Sequence, residues 1–216
     1  MTTRLASLVL VAACASAPTT APITNQTAPT GNAIALAVVI CDMEPWLGND
    51  DFETDPNARF PGALHAIERG LDALALPAGS TIAVFGYSTG SRALVARRPA
   101  AGFTGAALGG QRTYRNRIGA DLVQGVAMAL DDLDRAQASH KVLVIVGDGN
   151  DTNNETGAPR LVDAAKRAAA AQVTVRALVW KTGISAEGEI VHKLTADVTL
   201  LANPSELEQR LPAASR

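Results

Sequence analysis

Two aspartates and one serine carry the clearest chemical signal in this 216-residue chain. Asp42 follows the apolar run Ala33–Cys41, and Asp148 follows the run His140–Val146 and Gly147. A buried strand that ends in a carboxylate delivers it to the rim of a sheet. Two such strands in one sheet point to a shared site. Either aspartate alone also serves as a turn cap, which Asp does well. Ser88 stands in Gly86-Tyr87-Ser88-Thr89-Gly90, directly after the apolar run Thr81–Tyr87. A serine nucleophile needs a base to take its proton and an acid to orient that base. Ser88, Asp148 and His192 would supply such a set, with ester hydrolysis as the activity. The plainer reading makes Gly86–Gly90 a tight turn between two strands.

The surroundings of Asp42 are strongly acidic. Asp42, Glu44, Asp50, Asp51, Glu53 and Asp55 crowd one loop. With Asp121, Asp148, Asp151 and Glu155, ten of the 21 acids map to one predicted rim. Like charges this dense repel unless a cation or a basic group lies among them. A Ca²⁺ or Mg²⁺ ion held by Asp42, Glu44, Asp121 and Asp148 is one resolution. No loop has the spacing of a helix-loop-helix calcium site. Arg112, Arg115 and Arg117 offer an internal one, because a guanidinium can bridge carboxylates without metal. A solvated acidic loop is the third.

The elements that would position these groups alternate. Apolar strands are expected at 33–41, 81–87, 92–97, 140–146, 173–180 and 198–202. Phe60, Leu64, Ile67, Leu71 and Leu74 repeat at helical spacing, with Pro61 in the first turn. Leu122, Val126, Leu130 and Leu133 mark a second helix, and 159–171 a third. Ser205-x-x-Glu208 reads as a capping box opening the last. The class is α/β: a Rossmann-like, doubly wound, mostly parallel six-stranded sheet with helices on both faces and one short antiparallel edge strand.

This order, with Asp42 ending the first strand, Gly147-Asp148-Gly149 and the closing Leu200–Leu211 segment, resembles a von Willebrand factor A domain over roughly residues 33–211. The resemblance implies a metal-ion-dependent adhesion site built from DxSxS, a distant Thr and a strand-ending Asp. Its neutral hydroxyls leave the ion able to accept a partner's carboxylate. Asp42 and Asp148 match both aspartates, but Glu44 and Trp46 replace the serines and Ala120 the Thr. The site is degenerate. The resemblance further implies a non-enzymatic domain that binds a protein partner on this rim. Trp46, Asp50, Asp51, Arg115, Arg117 and Asp151 are the expected contacts, with Trp46 as anchor or as a plug in the vacated pocket. The serine set is similar to the nucleophile elbow of α/β-hydrolases. Against it, no HGG-type loop comes after the first strand, His192 precedes the last strand, and Ser91–Arg98 makes a poor helix.

Composition bounds the rest. Hydrophobic residues at 47 % and charged ones at 19 % give a sizeable core and exclude bulk disorder. Aromatics are only 4 %, so Ala, Val, Leu and Ile must build that core. A net charge of −2 argues against a nucleic-acid partner. Residues 1–13 read as a signal peptide, with Arg4 before the apolar Leu5–Ala13. Val11-Ala12-Ala13-Cys14 resembles the lipobox of bacterial lipoproteins, which implies a lipidated Cys14 and a membrane anchor at the cell envelope. Cleavage after Ala15 or a cytosolic start are the alternatives. Residues 14–31 form an Ala/Thr/Pro-rich tether, 32–211 the domain and 212–216 a tail. Cys41 reads as a small buried hydrophobe.

Overall fold

The structure is a computed structural model that describes residues 31–41, 63–111, 121–151, 154–180 and 190–216. Six strands form one sheet: β1 (Ile34–Cys41), β2 (Thr81–Tyr87), β3 (Ser91–Pro99), β4 (His140–Gly147), β5 (Val173–Trp180) and β6 (Val198–Leu201). Their order is β3-β2-β1-β4-β5-β6, and every pair is parallel except β2 with β3. Four α-helices accompany them: α1 (Ala63–Asp72), α2 (Leu122–Arg135), α3 (Asn154–Ala170) and α4 (Leu207–Ala214).

β1 is buried at all eight positions, as a central strand covered on both faces must be. Its residues are small or β-branched for the most part, which suits close packing of helices above and below. Helix α2 lies across β1, β2 and β3 and against α3, while α1 pairs with α4. Arg69 on α1 and Glu208 on α4 close that second pair with an ion pair of 2.8 Å. Gly125 on α2 permits a close helix–sheet approach: a Cβ there would lie 3.1 Å from Val39 Cγ1 and 3.2 Å from Tyr87 Cβ.

Most expected elements are found within a residue or two, with four differences. β3 is not short but runs nine residues, because pairing with β2 continues to Thr81↔Pro99 through two register irregularities. α1 ends at Asp72, leaving Leu74 beyond it; Phe60 and Pro61 lie outside the described residues. α3 starts at Asn154, so Pro159 sits inside it and the Glu155 carbonyl forgoes its i+4 partner. The capping box does not form. A 3₁₀ turn, Pro204–Glu206, precedes α4, and Ser205 Oγ donates to Asn203 Oδ1 instead. Glu206 Oε1 accepts from the backbone N–H of Ala202 at 3.0 Å. α4 continues to Ala214, and Ser215 behind it is buried, donating to Leu211 O at 2.7 Å. Cys41 is buried, as a small hydrophobe in the apolar run would be.

Candidate functional site

Strand order reverses between β1 and β4, and ligands of such sheets bind outside the carboxyl ends at that point. Ile40 pairs with Val146, so the chain leaves both strands at the same level of the rim. Asp148 is the first residue past β4 and is only 6 % exposed. Its Oδ1 accepts from the backbone N–H of Asn150 at 3.3 Å, and Asn150 Nδ2 returns to Asp148 O at 3.0 Å. The same Oδ1 accepts from the hydroxyl of Tyr87 at 3.4 Å. Burial raises the Asp148 carboxyl above the usual carboxylate range, against the opposing pull of the Asn150 and Tyr87 hydrogen bonds. Tyr87 is fully buried, and burial, with Cys41 and Asp148 nearby, raises its phenol well above the ordinary value.

The tyrosine ring reaches from the end of β2 past Cys41 to β4, which requires room where Gly147 stands. A Cβ at position 147 would lie 2.2 Å from Tyr87 Oη and 2.8 Å from Cys41 Cβ. Glycine is therefore the residue that lets the phenol meet the carboxylate.

The amino end of α2 forms the neighbouring wall. Asp121 is its N-cap, and Oδ1 accepts from Gln124 N at 3.1 Å. A second carboxylate arrives from the loop after β4: Asp151 Oδ2 accepts from Val123 N at 3.1 Å. Two of the helix's orphan donors are thus satisfied by aspartates from different segments. The β2–β3 turn is fastened to the same place. Asp121 N donates to Ser88 O at 2.7 Å, and Ser91 Oγ donates to Asp121 O at 2.8 Å.

The structure thus brings Asp121, Asp148 and Asp151 to one end of the sheet. It does not assemble the hydrolase set. Ser88 is buried in a turn that leads into β3 rather than into a helix, closed by Ser88 N donating to Gly90 O at 2.9 Å. His192 is exposed on a 3₁₀ turn at Val191–Lys193, and the Asp148 oxygen that would orient a base is engaged by Tyr87 and Asn150. The nucleophile elbow needs a strand-to-helix turn, so this reading is overturned.

Asp42, Glu44, Trp46, Asp50, Asp51, Arg112, Arg115, Arg117 and Ala120 lie outside the described residues, as does Cys14. Among the described residues of the rim, Asp121, Asp148 and Asp151 each accept from a protein donor through one oxygen. Among the described residues, no group of three or more His, Cys, Asp and Glu side chains is arranged to hold a metal.

Sequence reasoning missed Tyr87 and Asn150. The available signal was a tyrosine, one of only two in the chain, at the end of an otherwise apolar strand. A tyrosine buried there requires a partner for its hydroxyl.

No sequence-family model matches the chain, and no curated protein does either. Solved structures do. A von Willebrand factor type A protein from Catenulispora acidiphila superposes with a TM-score of 0.63 at 15 % identity, covering 85 % of this chain and 42 % of that one. Proximal thread matrix protein 1 of the mussel byssus gives 0.61 at 17 % identity, covering 85 % and 46 %. The vWF domain of the type V pili tip protein Mfa5 from Porphyromonas gingivalis gives 0.58 at 12 %, covering 85 % and 94 %. The chain spans less than half the length of the first two. Among the described residues no helix is long and apolar enough to cross a membrane. With its six-stranded mixed sheet and this strand order, the chain has the α/β fold of von Willebrand factor type A domains.

Proposed function

We propose that this chain is a non-enzymatic binding protein of the bacterial cell envelope, held by a lipid on Cys14, that engages a protein partner at the carboxyl rim of its sheet. The observation that carries the reading is the convergence of Asp121, Asp148 and Asp151 at the β1/β4 switch point, at a helix cap and in the loop after β4 beside the carboxyl end of β1. Function by likeness of fold is associational, and the pilus tip domain supports it as such. Trp46 is the proposed anchor, with Asp50, Asp51, Arg115, Arg117 and Asp151 around it. The arginines of 112–117 neutralise the acidic loop, leaving the Ca²⁺ or Mg²⁺ set Asp42, Glu44, Asp121 and Asp148 as the outcome a titration would have to reveal.

A photo-crosslinking amino acid at Trp46 or at the exposed Glu155 should trap one discrete partner in cells, whereas one at Arg69, on α1, should not. Equal trapping from all three positions, or none from the first two, would contradict the proposal. Cys14→Ser should move the protein from the membrane fraction to the soluble one, and unchanged fractionation would refute the lipid anchor.

A further inference from the structure

We propose that the amino end of the sheet is a membrane-contact face, which seats the domain on an anionic bilayer through two apolar loops and the basic residues beside them. This extends the anchor reading above, and its test uses unlipidated protein so that the two can fail separately. The tether of residues 14–31 joins the domain at this end, where β1, β2, β4 and β5 begin and β3, α1 and α2 finish. Ile34 N–H donates to Ser80 Oγ at 2.9 Å, so the chain enters directly beside the first of the two loops.

Those loops, 73–80 and 99–104, carry no charged residue. They are tied into one surface, with Ala100 N donating to Ser80 O at 2.9 Å, Ser80 N to Pro77 O at 3.1 Å and Phe103 N to Ala100 O at 3.1 Å. Gly79 and Gly102 turn the chain at φ of 81° and 74°, a region that favours glycine. Between the loops lies a cleft of about 270 Å³, lined among others by Leu74, Leu76, Pro77, Ile82 and Phe103. Leu74, Leu76 and Phe103 are half-buried, and Ala75, Pro77, Ala101 and Gly102 are exposed. A contiguous apolar patch of this kind on a domain surface marks a contact site.

The acids of this end are already engaged. Asp131 and Asp134 pair with Arg167, Asp132 with Arg97 and Asp197 with Arg176. Asp72 accepts from Gly105 N at 2.7 Å. Arg98, Arg135 and Lys141 show no acid partner among the described residues, and Arg98 and Arg135 are exposed. Arg98 immediately precedes the second loop, Arg135 ends α2 and Lys141 is the second residue of β4. Cations thus flank the apolar loops, the arrangement in which apolar groups enter the acyl boundary while basic ones meet phosphate headgroups. A second copy apposed face to face would instead set these bases against their own kind. Seated on a bilayer, the domain holds the rim of Asp121, Asp148 and Asp151 away from the membrane, about 26 Å off along the eight residues of β1.

The test uses the full chain with Cys14→Ser, sedimented with vesicles of phosphatidylcholine alone or mixed equally with phosphatidylglycerol. An environment-sensitive dye is placed on Ala101→Cys or, at the rim, on the exposed Thr89→Cys, the buried Cys41 escaping the label. The mixed vesicles should bind more tightly and shift the dye at Ala101 to the blue, with no shift at Thr89. Arg98→Glu with Arg135→Glu should weaken that binding about tenfold. Ala75→Asp with Pro77→Asp, both at exposed positions, should weaken it independently, with circular dichroism confirming the fold of each variant. Equal binding to both vesicles without a shift at Ala101, which attachment through the apolar residues 5–13 alone would give, overturns the proposal. So does an equal shift at Thr89, indifference to both variant pairs, or self-association that protects the two loops from amide exchange without vesicles.

Discussion

The hydroxyl of Tyr87 donates to Oδ1 of Asp148 at 3.4 Å across the end of β1, a strand to which neither residue belongs. β2 and β4 stand two strand spacings apart, about 9.6 Å, so only a long side chain from one can meet the other's loop. This contact joins β2 to the loop after β4 at the switch point and bears on the proton affinity of Asp148, the most buried rim carboxyl among the described residues.

Gly147 is the space in which that contact is made. Gly147→Ala should destabilise the fold by about 2–3 kcal/mol, because its Cβ would overlap Tyr87 Oη and crowd Cys41 Cβ. Tyr87→Phe removes the overlapping oxygen, so the double variant should recover part of the loss. Denaturant unfolding of the four proteins in the cycle checks this, and strict additivity would argue against the close approach.

Asp148 holds its proton more tightly in the folded chain than in the unfolded one, chiefly through burial. Its contribution to stability is therefore fully present below the unfolded carboxyl value and is lost as pH rises through the raised folded value. Asp148→Asn keeps an acceptor for Tyr87 and Asn150 N and removes the charge. The variant should melt higher than the parent at neutral pH, with the gap closing as pH falls toward the ordinary aspartate value. A gap that widens on acidification would show the opposite sign.

Arg97 fixes β3 from inside its own face. It donates to Thr81 Oγ1 at 2.7 Å, to Leu36 O at 3.3 Å and, through Nε, to Asp132 Oδ2 at 2.8 Å, with both ionic partners largely buried at 17 % and 15 % exposure. Arg97→Ala should cost about 2–4 kcal/mol by leaving Asp132 uncompensated, and adding Asp132→Ala should restore some of it. Thermal melts of the pair and the singles decide the point; a single-variant loss below about 0.5 kcal/mol would place the pair with ordinary surface bridges.

Asp151 spans two segments by accepting from Val123 N at the start of α2. Asp151→Ala should cost about 1 kcal/mol as a lost cap. Hydrogen exchange should locate the loosening in the first turn of α2, and exchange changed elsewhere but not there would contradict the assignment.

The sheet and its helices were legible because continuous apolar strands and 3.6-residue repeats are local signals. Asp148 was legible for the same reason, as a polar residue ending an apolar run. Tyr87 was not, since its role depends on β2 and β4 lying either side of β1, and on the missing side chain at Gly147. GxSxG at Ser88 specifies a turn without specifying the element after it, and the plainer reading, a tight turn between two strands, is the one found, since that element is a strand. The start of α3 was misplaced because Pro159 favours a first turn locally, while packing beside Asp151 and Ile190 carries the helix five residues further back. The capping box did not form because Ser205 Oγ turns to Asn203 Oδ1 and the Glu208 carboxylate pairs with Arg69 on α1, a partner distant in sequence.

On the proposed reading, the rim is closed by its own donors and holds no divalent ion. Calorimetric titration of the purified protein with Ca²⁺ and with Mg²⁺, beside thermal melts with and without EDTA, puts that statement to its sharpest test. A self-closed rim gives no heat of binding and superimposable melts. Binding tighter than millimolar with a raised melting temperature would contradict it, because a ligand stabilises the folded state only by binding it.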